Sequence, residues 1–274
     1  MLRRVVGLVV AAGFVVVFAG LLVTWLVKSR AEADRESARN SLRELGQFAA
    51  EYHKAVEKKQ KLPDIAVVPP GTVGPPTFAP DQRVSWVYPM LPLLNQKRQN
   101  TEPILKLIDP SKPWDAAGNA EAGRIPVRIL LCPAAPPTVA EGDPAVTQFV
   151  GIAGIGADAA TLPPDSPRAG AFRYDTPTDL SSFKDGLTTT LLFGETNHHL
   201  GPWIRGGPST VRGLIEEQKL VGVGGQFGGI HVGGANFGLA DGGVRWINDN
   251  VTPRVLLAMA TRAGGAEEAE RVAD

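Results

Sequence analysis

A chain of 274 residues has room for one sizeable domain and an anchoring segment. Its 28 basic and 28 acidic residues cancel, so no net field draws it to nucleic acid. Thirty-one glycines and 23 prolines, most after residue 60, favour short strands and turns, and the lone cysteine, Cys132, excludes an internal disulfide and any multi-cysteine metal centre.

Val5–Val27 runs 23 residues without a charge. As a helix it spans roughly 34 Å, enough to cross a bilayer. A cleaved signal peptide would have an apolar core of only about 7–15 residues. The nearest small-x-small pair, Ala31 and Ala33, lies beyond Lys28 and Arg30. Residues 1–28 are therefore expected to be a retained membrane anchor. Arg3 and Arg4 favour a cytoplasmic N-terminus, whereas Lys28, Arg30, Arg35 and Arg39 favour the reverse, so charge leaves the orientation open.

Residues 29–62 read as an amphipathic helix. Ala38, Leu42, Leu45, Ala49, Tyr52 and Val56 recur every three or four residues and form a stripe that needs a surface to lie against. Pro63 ends the helix. Residues 63–82 hold six prolines in twenty and predict an extended, semi-rigid connector. A β-rich domain is expected over 83–265. Within it "VSWVYPMLPLLNQ" is a short apolar segment broken by Pro89 and Pro92, and "IPVRILLCP" a buried strand between prolines. "TQFVGIAGIG" and "TTTLLFGE" are further strands. "TPRVLLAMATRAGG" predicts a short helix with Thr252 as cap, Pro253 at its first position and Gly264 as its stop. Residues 266–274 form a flexible tail.

Several residues invite a chemical reading. In "HVGGANFGLADGG", residues 231–243, His231 and Asp241 stand in H-x(9)-D-G spacing. Asp241-Gly242 between alternating apolar residues predicts a hairpin with a two-residue turn. That register sets Leu239 opposite Val244 and Phe237 opposite Trp246, all on one face. Six strand residues, about 20 Å, then separate the two ends, too far for one metal ion. Asp241 is a turn residue, while His231 fixes a loop or serves as a binding residue. "DGLTTTLLFGE" repeats the Asp-Gly turn at Asp185-Gly186 and ends on Glu195, expected as a buried acceptor for loop amides or as part of a site. His198 and His199 are adjacent and, in an extended chain, point to opposite faces. "GVGGQFGG" precedes a hairpin and not a helix, so it makes no phosphate cradle. No catalytic or metal-ligating set and no cofactor is assigned.

The ordered set "LRELGQFAAEYHKA", "SWVYPMLPLLNQ", "LLCP", "FVGIAGIG", "DGLTTTLLFGE", "GPWIRGGPSTVRGL" and "FGGIHVGGANFGLADGGVRWINDNVTPRVLLAMATRAGG" resembles the prepilin-type processing-associated H-x(9)-D-G proteins, domain of unknown function 1559. The resemblance implies an α+β, pseudopilin or type IV pilin-like fold in which a long N-terminal helix packs on an antiparallel sheet. It also implies a cytoplasmic N-terminus and a main domain outside the cytoplasm. Gly13-Phe14 is followed by valines, and no glutamate precedes Glu32, so prepilin peptidase processing is not expected. The expected protein is single-pass, structural or interaction-bearing and non-catalytic. It contacts the bilayer through Val5–Val27 and a protein partner or itself through the N-terminal helix. The alternative is a tethered binding module that presents His231 and the 197–225 segment to a glycan or surface protein.

Overall fold

The structure, a computed structural model, describes residues 2–60, 67–96 and 100–264. The chain opens with one helix, α1 (Leu2–Gln60). No proline interrupts it before Pro63. Within the apolar half the Thr24 hydroxyl donates to the carbonyls of Gly20 and Leu21 at 2.8 and 2.9 Å, so its polar atom is satisfied locally. The described side chains of 13–33 are exposed. The helix is long and apolar enough to cross a membrane.

Further along, α1 is buried on one stripe. Ala38, Leu42, Leu45 and Ala49 lie in the core as the spacing predicts, Tyr52 is half-buried, and Phe48 joins them fully buried. The side chain of Val56 lies outside the described residues, as do residues 63–66 and the tail. The surface that receives the stripe is a sheet, which makes the protein α+β as expected.

Residues 67–82 are not extended throughout: two short paired strands are followed by a turn and a 3-10 turn at Pro80–Gln82. β1 (Val67–Val68) pairs antiparallel with Thr178–Asp179 much later in the chain, and β2 (Thr72–Val73) pairs antiparallel with β3 (Val84–Ser85). The buried Arg83 side chain donates to the Phe78 carbonyl at 2.8 Å and pairs with Asp175, tying this stretch down. α2 (Val87–Gln96) runs through both prolines that were expected to break it. Pro89 falls in the first turn, where a missing N–H costs little, and Pro92 faces solvent. α3 (Glu102–Leu107) and α4 (Ala117–Arg124) follow. The expected strand in "IPVRILLCP" is instead a 3-10 turn, Arg128–Leu130. Its side chains Val127, Ile129, Leu130 and Cys132 are buried all the same, so burial was legible there while the backbone geometry was not.

The main sheet uses β4 (Phe149–Ile155), β6 (Leu191–Glu195), β7 (Val211–Leu214), β8 (Gly234–Leu239) and β9 (Val244–Asn248) in the order β7-β4-β6-β8-β9. β5 (Thr178–Asp179) pairs with β1. β4 and β7 run parallel, so the sheet is mixed, not purely antiparallel. One apolar cluster lies between the sheet and α1 with α2, where Trp86, Phe172 and Phe193 pack with ring centroids 5.0–5.8 Å apart. A second covers the opposite face under α5 (Pro253–Ala260). Pro253 opens α5 as expected, but Thr252 makes no side-chain cap and the helix ends at Ala260, short of Gly264.

The hairpin register differs from expectation. Gly238 stands opposite Val244, Phe237 opposite Arg245 and Asn236 opposite Trp246. The connection is Ala240-Asp241-Gly242, closed by Leu239 N–H to Gly243 O at 2.8 Å and Gly242 N–H to Leu239 O at 3.0 Å. Only Gly242 has a positive φ, +84°. This is a three-residue loop with glycine at its left-handed position. The register argument failed because β8 is buried on both faces, so apolar alternation does not choose between faces. Gly234, Asn236, Gly238 and Ala240 share one face; on it a Cβ at Gly238 would meet Leu42 of α1 and Ala240 packs in the α1-side cluster, while Ala235, Phe237 and Leu239 fill the other cluster.

Candidate functional site

The hairpin divides the motif residues between two ends of the sheet. At one end, just before β8, His231 is buried at 9% exposure. The last residue of β6, Glu195, is fully buried beside it because β6 and β8 are neighbours. Glu195 Oε2 accepts from Asn236 Nδ2 at 3.0 Å, and Oε1 lies 3.6 Å from His231 Nε2 with no hydrogen bond. Glu195 thus accepts from a side-chain amide of the neighbouring strand, where loop amides were expected.

Cys132 brings its Sγ to 3.5 Å from the same His231 Nε2. Gln148 holds the cysteine in place: its Oε1 accepts from Cys132 N–H at 2.7 Å and its Nε2 donates to Ala135 O at 2.8 Å. Sequence reasoning placed Cys132 in the core but missed this meeting. The one local signal was Asn236, a polar residue amid "GANFGL" whose amide needs a buried partner.

Desolvation governs the protonation states. Burial pushes the Glu195 carboxyl up to about 7 against the opposing Asn236 hydrogen bonds. The Cys132 thiol is raised to about 11, chiefly by burial. His231 is held below its ordinary value by burial and by Arg35, with Asp34 acting the other way. The thiol therefore stays protonated near neutrality. Both Cys132 and Glu195 approach one imidazole nitrogen, whereas a nucleophile–base–orienter relay needs the two opposite nitrogens. Among the described residues no group of three or more His, Cys, Asp and Glu side chains is arranged to hold a metal ion.

At the other end the two Asp-Gly turns lie side by side. Asp241 N–H donates to Leu187 O at 3.2 Å and Ala240 N–H to Thr190 O at 2.9 Å. Asp241 is exposed, and its Oδ1 accepts from Gly243 N–H at 2.8 Å. Asp185 Oδ2 accepts from Gly264 N–H at 3.1 Å, and Gly186 takes φ +91°. A Cβ on Gly46 of α1 would come 2.9 Å from Gly242 Cα, so helix and hairpin tip touch backbone to backbone.

A family described as "Protein of unknown function (DUF1559)" matches residues 28–221. The chain belongs to this family. No curated protein and no solved structure matches it. The matched range of this DUF1559 chain contains Cys132, Asp185, Gly186 and Glu195 and stops before the His231–Asp241 hairpin. The namesake spacing is thus an addition to the match, joined to it in space by the contacts of Glu195 and Cys132 with His231.

His198 and His199 also depart from expectation. His199 adopts φ +48°, the chain turns there, and the two rings meet with centroids 3.8 Å apart. Arg212 donates to both their carbonyls at 3.0 Å. Its Nε is buried without a partner, and desolvation lowers its guanidinium to about 10. These residues line a cavity of about 250 Å³ with Tyr174, Gln218 and Gln226.

Proposed function

We propose that this DUF1559 protein is a single-pass, pilin-like structural or interaction protein, anchored through Val5–Val27, with its domain outside the cytoplasm and no catalytic role. The observation that carries the reading is the division of α1. Phe14 is 72% and Trp25 63% exposed, whereas Leu42, Leu45 and Phe48 on the same helix are buried against the sheet. An apolar helix left bare along one half needs another apolar medium, and a bilayer supplies it. The protonated thiol and the shared histidine nitrogen favour a structural role for His231, Glu195 and Cys132 over a catalytic one. The cytoplasmic N-terminus follows from the family resemblance. A protein partner or a second copy along the N-terminal helix belongs to the same reading.

The test is membrane fractionation of the full chain with N-terminal sequencing and external protease. The expected protein resists alkaline extraction, starts at its own N-terminus and loses its domain to protease added outside. A soluble form lacking residues 5–27 would overturn the anchor, and a start at Phe14 would mean prepilin peptidase processing.

The second reading, a tethered binding module for a glycan or surface protein, draws on the cavity at His198, His199 and Arg212. Its size, and a mainly apolar lining that carries the polar groups of His198, Arg212, Gln218 and Gln226, suit a sugar-sized ligand. Glycan-array binding abolished by Arg212→Ala would favour it.

A further inference from the structure

The His231 loop lies against α1 where the apolar run gives way to charge. Lys28, Glu32, Asp34 and Arg35 of the helix, with Ile230 and Val232 of the loop, line a cleft of about 300 Å³ that opens to solvent beside His231. Val232 is 97% exposed, the most exposed large apolar side chain among the described residues. His231 is buried beneath, and Arg35 lies 4.4 Å over the Trp246 ring of β9, which ties the helix to the strand beside the loop.

Depth follows from the helix. The charge-free run is slightly longer than the roughly 30 Å hydrocarbon core, and the headgroup zone adds about 5–8 Å on each side. At 1.5 Å per residue that zone covers about four or five residues, from Lys28 to Glu32. Trp25 marks the same boundary, where aromatic rings favour the interface. Lys28 and Glu32 of the cleft stand in that zone, while Asp34 and Arg35 close its outer end, so the cleft and its Val232 rim straddle the headgroup layer and its outer edge.

We propose that the His231 loop docks on the membrane, with Val232 in the interface and the cleft holding the headgroup of a zwitterionic phospholipid. This rests on the membrane-anchor reading above. The lining supplies two cations, Lys28 and Arg35, for the phosphate and two anions, Glu32 and Asp34, for the ammonium. A purely anionic headgroup would leave both carboxylates unmatched. The H-x(9)-D-G hairpin then runs from membrane to periphery: His231 at the bilayer, Asp241 beside Gly46, about 20 Å further along α1.

The test uses the full chain in vesicles of phosphatidylethanolamine and phosphatidylcholine. An environment-sensitive dye is attached at Val232→Cys or, as the distal control, at Asp241→Cys. Cys132 is fully buried and stays unlabelled, as wild-type protein checks. A lipid carrying its quencher near the headgroup should remove most of the signal at position 232 and little at 241. Equal, weak quenching at both sites in protein that floats with the vesicles overturns the docking and leaves the anchor intact. Quenching at 232 confined to phosphatidylglycerol vesicles overturns the zwitterionic assignment. Protein that fails to float overturns both readings.

Discussion

Glu195 carries its carboxyl into the core with one of its two oxygens hydrogen-bonded. The folded state holds its proton up to about pH 7, whereas the unfolded chain releases it near 4.5. The folded state thus binds more protons across that window, and stability falls as pH rises through it. The full displacement corresponds to roughly 3 kcal/mol. His231 and the Cys132 thiol are the titratable groups facing it, and both are common to wild type and variant. Glu195→Gln keeps an acceptor for Asn236 and removes the charge. It should raise the melting temperature relative to wild type at pH 8 and change it little at pH 5, measured on the detergent-solubilised full chain. An equal effect at both values would show that the carboxyl does not titrate there. The partners of the carboxyl were not legible from "DGLTTTLLFGE" alone. Glu195 could be read as a strand end facing inward, but its meeting with His231 and Cys132 depends on which strands are neighbours, and short-range pattern carries no strand order.

Elements were legible where one physical signal dominated. Charge-free length marked the start of α1, three-four spacing its buried stripe, and glycine-bounded apolar runs β4 and β6. Proline misled twice, once as a breaker of α2 and once as the border of a strand at 125–133, because its effect depends on the turn of helix it occupies and on which backbone groups need partners. At the hairpin the Asp-Gly signal located the turn, and burial of both faces hid the register. The observed loop sharpens its mutational test. Asp241 has no positive φ, and its side chain accepts a hydrogen bond from Gly243 N–H, which asparagine can also do, so Asp241→Asn should be nearly neutral. Gly242→Val forces a β-branched residue to φ +84° and should cost about 1–2 kcal/mol in a denaturant titration. The reverse order would restore a functional role for the aspartate. Gly46→Ala gives a second test. In an isolated helix alanine is favoured by about 1 kcal/mol over glycine. Here its Cβ would stand 2.9 Å from Gly242 Cα, so the substitution should destabilise the domain by pushing helix and hairpin apart. A stabilising result would mean that the helix is free to withdraw.

Across the whole molecule, the two halves of α1 make opposite contributions to the domain. The described apolar side chains of 13–27 rest on nothing in the chain, so removing residues 1–28 should leave the melting transition of the domain unchanged. Residues 38–49 are part of its core. Leu42, Leu45 and Phe48 each bury a side chain worth about 1.5–3 kcal/mol, together roughly 5–9 kcal/mol. A domain has only about 5–15 kcal/mol in hand. Their loss would also bare the sheet face around Phe193 and Gly238, where the small residues opposite the helix leave a trough and not a packed surface. A chain begun at residue 50 should therefore show no cooperative melting, and a synthetic peptide of residues 29–62 should restore it by refilling the trough. Circular dichroism melts of the two truncations, with and without the peptide, separate the cases. Cooperative melting of the shorter chain alone would mean that the sheet, α2 and α5 form a self-sufficient core and that α1 is only a tether.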